Sequence, residues 1–415
     1  MQIELVTIGD ELLLGFTVDT NSAYIARELA AIGVQVVWRT SVGDDAAAIT
    51  AAVTQALDRT GAVITTGGLG PTSDDITKPA IAAIFGRRIE LREDLLSSLR
   101  ERWKARGLPG DLPESNRSQA EIPSGADILS NRYGTAPGLL LRDTSDRWVA
   151  MLPGVPREMR GILQEELIPR LKEKAAGAGV LRSLTIRTNG LPESTLSERI
   201  AEPARSLGDI RLAYLPGFDG VDLRLTLRGQ DAAGTDARLR EAAVKLRAPI
   251  ERYVYGEGDI GFSAVVLEEC RSRKMRIAVA ESCTGGLLAV RLTDVPGSSD
   301  VFVGGTIAYD NRVKVAELGV DERALERNGA VSEATAVAMA QGTKRKFKTD
   351  IAVGITGIAG PGGGSPEKPV GLVWIAVEGP RPRARSFVLG GDRLEIRHRA
   401  VQAALGMIRR QFQND

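Results

Sequence analysis

The chain has 415 residues, and at roughly 150 residues per domain this length predicts two or three domains, each large enough to bury a core. Its 54 Lys plus Arg and 53 Asp plus Glu give a formal net charge of +1. The overall charge therefore provides no long-range attraction for a nucleic acid or an anionic membrane. The hydrophobic fraction of 43% is typical of a globular protein and excludes a mainly disordered chain.

Cysteine and histidine are scarce in this sequence. Cys270 and Cys283 are too few for a disulfide framework or a four-thiolate zinc site. His398 is the single histidine, so a Ser–His or Cys–His catalytic pair has to use it. Residues 1–5 lack the basic segment and long apolar core of a signal peptide, and no run of about 18 apolar residues occurs. We therefore expect a cytoplasmic protein without a membrane partner.

Apolar runs alternate with helical patterns in the N-terminal part of the chain. The pattern predicts strands at 3–8, 34–40 and 62–66, and helices at 21–32 and 46–57. Such alternation is typical of an α/β domain with a doubly wound, mostly parallel sheet. We assign this domain to residues 1–172.

Two short segments, 172–179 and 256–261, have the composition of linkers. They predict a small α+β domain over 178–255 and a C-terminal α/β domain over 258–415. In the middle domain we predict strands at 183–187 and 222–228 and helices at 194–206 and 236–248. In the C-terminal domain we predict strands at 276–280, 303–309, 351–356 and 370–377, and helices at 263–274, from 285, at 332–346 and at 394–410.

Two loops rich in Thr and Gly, at 65–71 and 355–361, each follow an apolar strand. Backbone amides at such a turn can approach an anion closely, and a following helix adds its positive end. The simpler alternative is a tight turn that binds nothing. The sequence contains no G-x-x-x-x-G-K-[ST] motif, and no G-x-G-x-x-G follows the first strand, so neither a P-loop NTPase nor a dinucleotide dehydrogenase is supported.

Acidic turns accompany the first of these loops. Residues 9–11, 43–45 and 72–77 each follow a predicted strand, and the carboxyl ends of parallel strands meet at one edge of a sheet. Carboxylates beside a phosphate-binding loop suit a divalent cation that bridges phosphate oxygens. Alternatively, Asp45 and Asp75 only cap helices, an alternative that we consider more seriously for Asp45.

Several longer motifs occur in a fixed order along the chain. They are GDELLLG at 9–15, NS at 21–22, TGGLGPTSDDIT at 66–77, APG at 136–138, LPGVPRE at 152–158, AESCTGG at 280–286, GITGIAGP at 354–361 and EKPVG at 367–371. The first five resemble the molybdopterin-binding (MoaB/MogA-like) domain of the competence/damage-inducible CinA family. Residues 178–255 resemble the KH-like middle segment of that family, and the last three motifs resemble its C-terminal amidase domain.

The resemblance implies a bifunctional hydrolase of pyridine-nucleotide recycling. The C-terminal domain would deamidate nicotinamide mononucleotide (NMN) to nicotinate mononucleotide and ammonia without a cofactor. The N-terminal domain would cleave ADP-ribose with a divalent metal ion (Mg, Mn or Co) and potassium. Asp44 and Asp75 match two functional acidic positions of the family and are the predicted metal ligands. The family also implies a homodimer. The other nucleotide-binding candidates are Asp10, Glu11, Asn21, Thr66, Gly67, Gly68, Gly70 and Thr72.

Amide hydrolysis requires a nucleophile, a base and donors for the developing oxyanion. Ser282 and Cys283 are the candidate nucleophiles, placed where a strand turns into a helix whose N-terminal amides can serve as donors. With Cys283 the base has to be His398, which lies among arginines. With Ser282 we favour Lys314, because a desolvated lysine can be neutral, and the family resemblance places a functional lysine here. The alternative for Lys314 is a solvated helical position.

The other substrate-binding candidates follow from the chemical groups of NMN. Tyr309 can stack on the cationic ring, although it can equally be packed at a strand end. Arg397 can bind the phosphate, but Arg393 or Arg399 can serve instead. The full amidase set is Cys283, Thr284, Gly285, Tyr309, Thr356, Gly357, Gly360 and Arg397, beside the catalytic Ser282 and Lys314.

Two other functions are compatible with parts of the sequence. The residues 217–220 match G-x-x-G, a loop that clamps nucleic-acid backbones in KH domains and suggests a role in competence or repair. However, Asp219 would repel phosphate and the flanking residues contain no lysine, so a hairpin turn is the simpler explanation and a nucleic-acid partner is not expected. Alternatively, the N-terminal domain binds a nucleotide or pterin without catalysis, which leaves only the amidase.

Overall fold

The computed structural model describes residues 1–107, 109–175 and 179–413. The chain divides into two compact units, Met1–Arg182 with Leu227–Ala237, and Ser183–Thr226 with Arg238–Asp415. Residues 176–178 of the predicted linker lie outside the described residues. Both units are mixed α/β, as predicted. Among the described residues, no helix combines the length and the apolar character needed to cross a bilayer.

The N-terminal part of the chain forms alternating strands and helices. Its strands are β1 (Gln2–Ile8), β2 (Gln35–Val42), β3 (Ala62–Thr66), β4 (Ile89–Leu91), β5 (Glu121–Pro123), β6 (Asp127–Leu129), β7 (Gly138–Arg142) and β8 (Trp148–Leu152). Its helices are α1 (Asp10–Leu13), α2 (Thr20–Ala31), α3 (Ala46–Thr60), α4 (Thr77–Ile84), α5 (Glu93–Ala105), α6 (Pro156–Ile162) and α7 (Ile168–Lys174), with a 3-10 helix at Glu114–Ala120 and a π turn at Leu163–Leu167.

The main sheet of the first unit has the strand order β2-β1-β3-β8-β7-β6. The strands β2, β1, β3 and β8 pair in parallel, whereas β7 pairs antiparallel with both β8 and β6, which confirms a mostly parallel sheet. Alternate residues of β1 enter different cores: Ile3 and Leu5 pack with Ile25 of α2, whereas Val6 packs with Ile49 of α3. Helices therefore cover both faces of the sheet. The parallel order brings the carboxyl ends of β1, β2 and β3 to one edge.

The middle segment forms a smaller sheet with the order β10-β11-β9-β12. Its elements are β9 (Val180–Thr188), α8 (Glu193–Arg205), β10 (Arg211–Gly217), β11 (Gly220–Gly229), α9 (Ala232–Arg247), a 3-10 helix at Ala248–Tyr253 and β12 (Val254–Glu257). In the β10–β11 hairpin Gly217 pairs directly with Gly220. The G-x-x-G sequence is thus the tight turn of a hairpin, as expected.

The C-terminal part contains a five-stranded sheet with the order β14-β13-β15-β16-β17. Its strands are β13 (Ile277–Glu281), β14 (Phe302–Ile307), β15 (Ile351–Gly357), β16 (Leu372–Glu378) and β17 (Arg383–Val388). Its helices are α10 (Phe262–Ser272), α11 (Leu287–Thr293), α12 (Asn311–Leu318), α13 (Glu322–Asn328), α14 (Glu333–Phe347) and α15 (Arg393–Arg409), with a 3-10 helix at Ser298–Asp300. The strands β14, β13 and β15 pair in parallel, whereas β16 pairs antiparallel with both β15 and β17.

Candidate functional sites

The acidic turns after β1 and β2 meet at the sheet edge of the first unit. The amide of Asp10 donates to Asp44 Oδ2 at 3.0 Å, and the amide of Asp44 donates to Asp10 Oδ1 at 3.2 Å. Burial raises the pKa of Asp44, and repulsion from Asp10, Glu11 and Asp74 raises it further, against the hydrogen bond from the Asp10 amide. The structure therefore brings together carboxylates that follow β1, β2 and β3.

Asp75 shapes the glycine-rich loop rather than pointing freely into the site. Its Oδ1 accepts from the amide of Gly70 at 2.7 Å, and its Oδ2 accepts from the amide and the hydroxyl of Thr72 at 2.8 and 2.5 Å. It does not cap α4, whereas Asp45 does cap α3 by accepting from the amide of Ala48 at 2.8 Å. The loop also requires Gly68, because a Cβ at its φ of +66° would meet Thr77 Oγ1 at 2.1 Å.

A cleft of about 440 Å³ opens at this edge of the sheet. The predicted residues that line it are Glu11, Asn21, Asp44, Thr66, Gly67, Gly68, Gly70 and Asp75. Asp10 and Thr72 lie beside it without lining it. All charged side chains that line it are acidic, namely Glu11, Asp19, Asp44, Asp74, Asp75 and Glu158, and no Lys, Arg or His of the described residues does so. A phosphate group can bind in such a cleft only together with a cation.

The donor set of this cleft fits one kind of cation site. No group of three or more His, Cys, Asp or Glu side chains in the described ranges can hold a metal by itself. Asn21 lines the cleft and its buried Oδ1 accepts no hydrogen bond from the described residues, while its Nδ2 donates to the carbonyl of Gly154 at 2.7 Å. One or two carboxylates and an amide oxygen suit a magnesium-like ion that takes its remaining ligands from substrate phosphates and water.

The sequence did not single out Lys78, the second residue of α4, which follows the loop directly. Its ammonium is buried and donates to the carbonyl of Ser118. Burial lowers the pKa of Lys78 to about 8, although Glu121 and Asp75 oppose this effect. The sequence Asp-Asp-Ile-Thr-Lys does not indicate that this lysine is buried, because its burial depends on how α4 packs in the fold.

In the second unit, the carboxyl ends of β13, β14 and β15 also meet at one edge. Ser282 follows β13, and its amide donates to the carbonyl of Ile355 in β15 at 2.9 Å. The amide of Ala308, just after β14, donates to the carbonyl of Glu281 at 2.8 Å. Ser282 is only 8% exposed. The parallel register thus places the turn at residues 282–286, the nucleophile turn, beside the loop that leads to Lys314.

Glu281 uses the helix amides that were expected to bind the oxyanion. Its buried carboxylate accepts from the amides of Gly286, Leu288 and Ala289 at 3.1, 3.0 and 2.8 Å. The expectation that the first amides of α11 are free is therefore wrong for these three. Within the described residues, the amides of Cys283 and Thr284 donate to no other backbone group, and they are the remaining candidate donors.

Lys314 lies in the first turns of α12 and is 1% exposed, so the alternative of a solvated lysine is wrong. Its Nζ donates to the carbonyl of Tyr309 at 3.0 Å. Burial lowers the pKa of Lys314, and the charge of Asp310 partly opposes this shift. No hydrogen bond joins Nζ to Ser282 Oγ among the described contacts; hydrogen bonds of this kind often tighten only when substrate binds.

Cys283 and His398 do not form a catalytic pair. Burial raises the pKa of the Cys283 thiol to about 12, so the reactive thiolate is strongly disfavoured. The ring of His398 stacks on Phe218 with centroids 4.8 Å apart, and its Nδ1 is buried without a partner among the described residues. The structure gives no hydrogen bond between the two side chains, and this supports Ser282 as the nucleophile.

Tyr309 and the arginines of α15 border the nucleophile turn. Tyr309 is 59% exposed, so it is not packed at the strand end. Its hydroxyl accepts from Arg393 Nη2 at 3.0 Å. Arg397 Nη2 donates to the carbonyl of Thr284 at 2.8 Å, whereas Arg399 donates to the carbonyl of Gly390 at 2.8 Å.

The second Thr-Gly loop lies across the same edge. Thr356 donates its hydroxyl hydrogen to the carbonyl of Ala330 at 2.7 Å, so this hydroxyl is engaged within the protein. Gly357 ends β15, and Gly285 lies exposed in the nucleophile turn. Next to them is a cleft of about 500 Å³ that is lined by Gly360, Arg393, Arg397 and their neighbours, but not by Ser282 or Lys314. Arg397 lines this basic cleft and also donates to the Thr284 carbonyl of the nucleophile turn, so the cleft and the turn are adjacent.

Three family models match the chain: "Probable molybdopterin binding domain" over residues 4–173, "Damage-inducible protein CinA KH domain" over 183–256 and "CinA C-terminal domain" over 261–412. A CinA-like protein of Gemmatimonas aurantiaca is 55% identical over 414 residues, which cover 99% of this chain and 96% of the relative. A CinA-like protein of Synechococcus sp. is 42% identical and covers 99% of this chain and 98% of the relative. The solved structure of the competence/damage inducible protein CihA from Agrobacterium tumefaciens is 39% identical and matches 37% of this chain and 94% of its own, with a TM-score of 0.35. The chain therefore belongs to the CinA family.

Proposed function

We propose that this chain is a bifunctional nucleotide hydrolase of pyridine-nucleotide recycling. The second unit deamidates NMN to nicotinate mononucleotide and ammonia, and the first unit hydrolyses ADP-ribose with a divalent cation. The observation that carries the amidase proposal is the burial of Lys314 at the sheet edge that also presents Ser282. A buried lysine with a lowered pKa is the group that can activate a serine where no histidine is available.

The amidase reaction follows from the groups at this edge. Ser282 Oγ attacks the carboxamide carbon while neutral Lys314 takes the hydroxyl proton. The amides of Cys283 and Thr284 donate to the oxyanion of the tetrahedral intermediate. Lys314 then returns the proton to the amide nitrogen, and ammonia leaves an acyl-serine. Water, activated by Lys314, hydrolyses this ester and restores Ser282.

The same edge offers a place for each remaining part of NMN. The exposed ring of Tyr309 can stack on the cationic pyridinium. The basic cleft beyond Arg397 suits the phosphate, since guanidinium groups bind phosphate oxygens in pairs.

Ammonia release from NMN in the presence of EDTA tests the amidase. We expect Lys314→Met to lower kcat roughly 10²- to 10⁴-fold, as for the loss of a general base, and Ser282→Ala to lower it at least as much. Cys283→Ala removes only the thiol and keeps the backbone amide that donates to the oxyanion, so we expect kcat within about threefold of wild type. An active Ser282→Ala with an inactive Cys283→Ala would refute the serine mechanism, and a wild type inactive on NMN would refute the activity.

The proposal for the first unit is supported by the uniformly acidic lining of its cleft. Asp44, with Glu11 or Asp74 and the amide oxygen of Asn21, would hold the cation. A bound divalent cation would neutralise the pyrophosphate and lower the pKa of a water molecule. The chain itself supplies the loop at Gly67 and Gly68 for close approach of phosphate, kept in shape by Asp75.

Conversion of ADP-ribose to AMP and ribose 5-phosphate tests this proposal, with Mg²⁺ or EDTA and with or without potassium. We expect EDTA to abolish cleavage of ADP-ribose while ammonia release from NMN continues. Asp44→Asn should abolish both the cleavage and the rise in Tm that Mg²⁺ causes in wild type; Asp45→Asn, which changes a cap outside the cleft, should keep both. Cleavage of ADP-ribose in EDTA would refute the metal requirement, and tight ADP-ribose binding without cleavage would support the non-catalytic alternative.

A further inference from the structure

Arginines from four elements of the second unit come together where α15 ends. Arg410 is the C-cap of α15, and Arg385 lies on the edge strand β17. Arg252 lies in the 3-10 helix Ala248–Tyr253, and Arg199 lies on α8. These four residues are called the arginine cluster below.

The ring of Tyr253 lies between members of the arginine cluster. The guanidinium carbons of Arg199 and Arg252 are each 5.1 Å from its centroid. Arg410 approaches the same ring, because a Cβ added to Gly190 would lie 3.6 Å from Arg410 Nη2 and 3.9 Å from Tyr253 Cδ1. Contact with an aromatic face attracts a cation, but it supplies no negative charge.

The positive charges of the cluster are not balanced by carboxylates. Among the residues that the structure describes, no ion pair and no side-chain hydrogen bond involves any of the four arginines. Neighbouring residues differ in this respect. Arg409 lies 3.1 Å from Glu269 Oε1, and Glu251 is paired with Arg247 at 2.7 Å. The carboxylates nearest in sequence to the cluster are therefore engaged by other arginines.

Arg410 carries the largest burden of this arrangement. It is half-buried, and burial lowers the pKa of its guanidinium. Repulsion from Arg385, Arg252 and Arg383 lowers that pKa further. Since an arginine remains charged at neutral pH, the repulsion is not relieved by the loss of a proton. An anion that contacts several of these guanidinium groups would relieve it.

The shape of the cluster favours one kind of anion. A single phosphate group carries at most about two negative charges, which is fewer than the four charges of the cluster. A di- or triphosphate places more negative charge within a short length, and its oxygens can accept guanidinium N–H groups in pairs. A single-stranded nucleic acid spreads its charge over a long backbone, whereas this cluster is gathered around one ring.

We propose that the arginine cluster is an anion-binding site for a polyphosphate group, such as that of a nucleoside di- or triphosphate or of inorganic polyphosphate. The site is separate from the amidase site. Arg393 of the basic cleft begins α15 and Arg410 follows its last residue, so the length of the helix, about 25 Å, lies between them. The inference does not depend on either proposed hydrolase activity.

Calorimetric titration of the full chain with inorganic tripolyphosphate and with ATP tests the site. EDTA is present, because it removes the cation that the acidic cleft of the first unit would need to bind a phosphate. Arg410→Gln removes charge-assisted hydrogen bonds and should raise the Kd for tripolyphosphate roughly 10- to 100-fold. Arg252→Gln and Arg385→Gln should each raise it at least about threefold. Arg240→Gln, an exposed arginine of α9, is the matched control and should leave the Kd unchanged.

Thermal unfolding separates binding from a purely structural role. Without the anion, Arg410→Gln removes a repelled charge, so its Tm should equal or exceed that of wild type. Tripolyphosphate should raise the Tm of wild type but not of the variant. A lower Tm for Arg410→Gln, together with an unchanged Kd for tripolyphosphate, would overturn the proposal and assign Arg410 a structural role only.

The identity of the ligand follows from the remaining comparisons. Equal Kd values for tripolyphosphate and ATP would support the site and show that the phosphate chain alone is recognised, whereas much tighter binding of ATP would support a nucleotide ligand. Binding that is lost in Arg393→Gln but kept in Arg410→Gln would overturn the proposal, because the anion would then occupy the basic cleft. Binding of a short single-stranded oligothymidylate, with none of tripolyphosphate or ATP, would overturn it in favour of a nucleic acid.

Discussion

The carboxylate of Asp219 accepts a hydrogen bond from Arg291 Nη2 at 2.7 Å, which ties the β10–β11 turn to helix α11. The carbonyl of Asp219 also accepts from Gln402 Nε2 of α15 at 2.8 Å, and Phe218 stacks on His398 of the same helix. The turn of the middle segment therefore contacts both helices that begin at the candidate amidase site. The residue that would repel a phosphate backbone has a structural partner here.

We expect Asp219 and Arg291 to be energetically coupled. Their side chains are 30% and 22% exposed, so the pair is partly shielded from water and its hydrogen bond is charge-assisted. A double-mutant cycle with Asp219→Asn and Arg291→Met should give a coupling of about 1 kcal/mol in the free energy of unfolding by urea. The pair of Asp209 and Arg238, which is 60% and 52% exposed, is the matched control and should give much less. Equal coupling in the two cycles would contradict this expectation.

Glu281 should be a major stabilising residue of the second unit. It is 1% exposed and accepts three amide hydrogens at the beginning of α11. Glu281→Gln replaces one acceptor oxygen by an NH₂ group that faces N–H donors, so we expect a loss of about 2–3 kcal/mol in the free energy of unfolding. Glu322→Gln, in the first turn of α13 and exposed, should cost less than about 0.5 kcal/mol. A small loss for Glu281→Gln would show that water or a rearranged turn satisfies these amides.

The sheet edges were predictable from sequence because parallel strands with short acidic or glycine-rich turns leave little choice of topology. The meeting of Asp10 and Asp44 follows from β1 and β2 being adjacent and parallel. The partners of individual side chains were not predictable. Asp74 and Asp75 are neighbours in sequence, yet their roles differ. The charge of Asp74 raises the pKa of Asp44, whereas Asp75 accepts a hydrogen bond from the Gly70 amide within the glycine-rich loop. Such differences depend on side-chain direction, which sequence spacing does not fix.

In the amidase site, the sequence motif predicted where the nucleophile turn lies. It did not predict that Glu281 accepts hydrogen bonds from the helix amides beside this turn. Glu281 lies inside the quoted motif, and no feature of its sequence distinguishes a buried helix cap from an exposed carboxylate. Similarly, the sequence left Arg393, Arg397 and Arg399 equivalent, and only their contacts separate them. The edge strand β17 was missed because Arg383 and Arg385 interrupt its apolar pattern.

The pH dependence of kcat should report Lys314. Because burial lowers the pKa of this ammonium below its ordinary value of 10.5, its neutral form becomes available at lower pH than for a free lysine. Since the base must be neutral, kcat for NMN should rise with pH and level off above an apparent pKa below 10.5. Lys314→Arg should be inactive throughout this range because arginine stays charged, whereas Lys245→Arg, on the surface of α9, should keep the wild-type profile. A flat profile between pH 6 and about 10 would exclude Lys314 as the base.

The lowered pKa of Lys78 predicts how the free energy of unfolding depends on pH. Its pKa is about 8 in the folded protein, against 10.5 as its ordinary value. Between these values the unfolded chain binds more protons than the folded one, so the free energy of unfolding rises with pH from about 8 to 10.5 and this contribution is lost as pH falls. This lowering of the pKa corresponds to an upper bound of roughly 3 kcal/mol in the free energy of unfolding.

Lys78→Met removes the titrating group, so the stability of wild type should increase relative to this variant as the pH is raised from 7.5 to 10. Urea unfolding of both proteins at several pH values measures the difference, and other titrating groups cancel because they are common to both. Lys172→Met, an exposed lysine of α7, is the control and should run parallel to wild type. If the stability of Lys78→Met changes with pH in parallel with that of wild type, the Lys78 ammonium titrates as a solvated lysine. That result would contradict the lowered pKa.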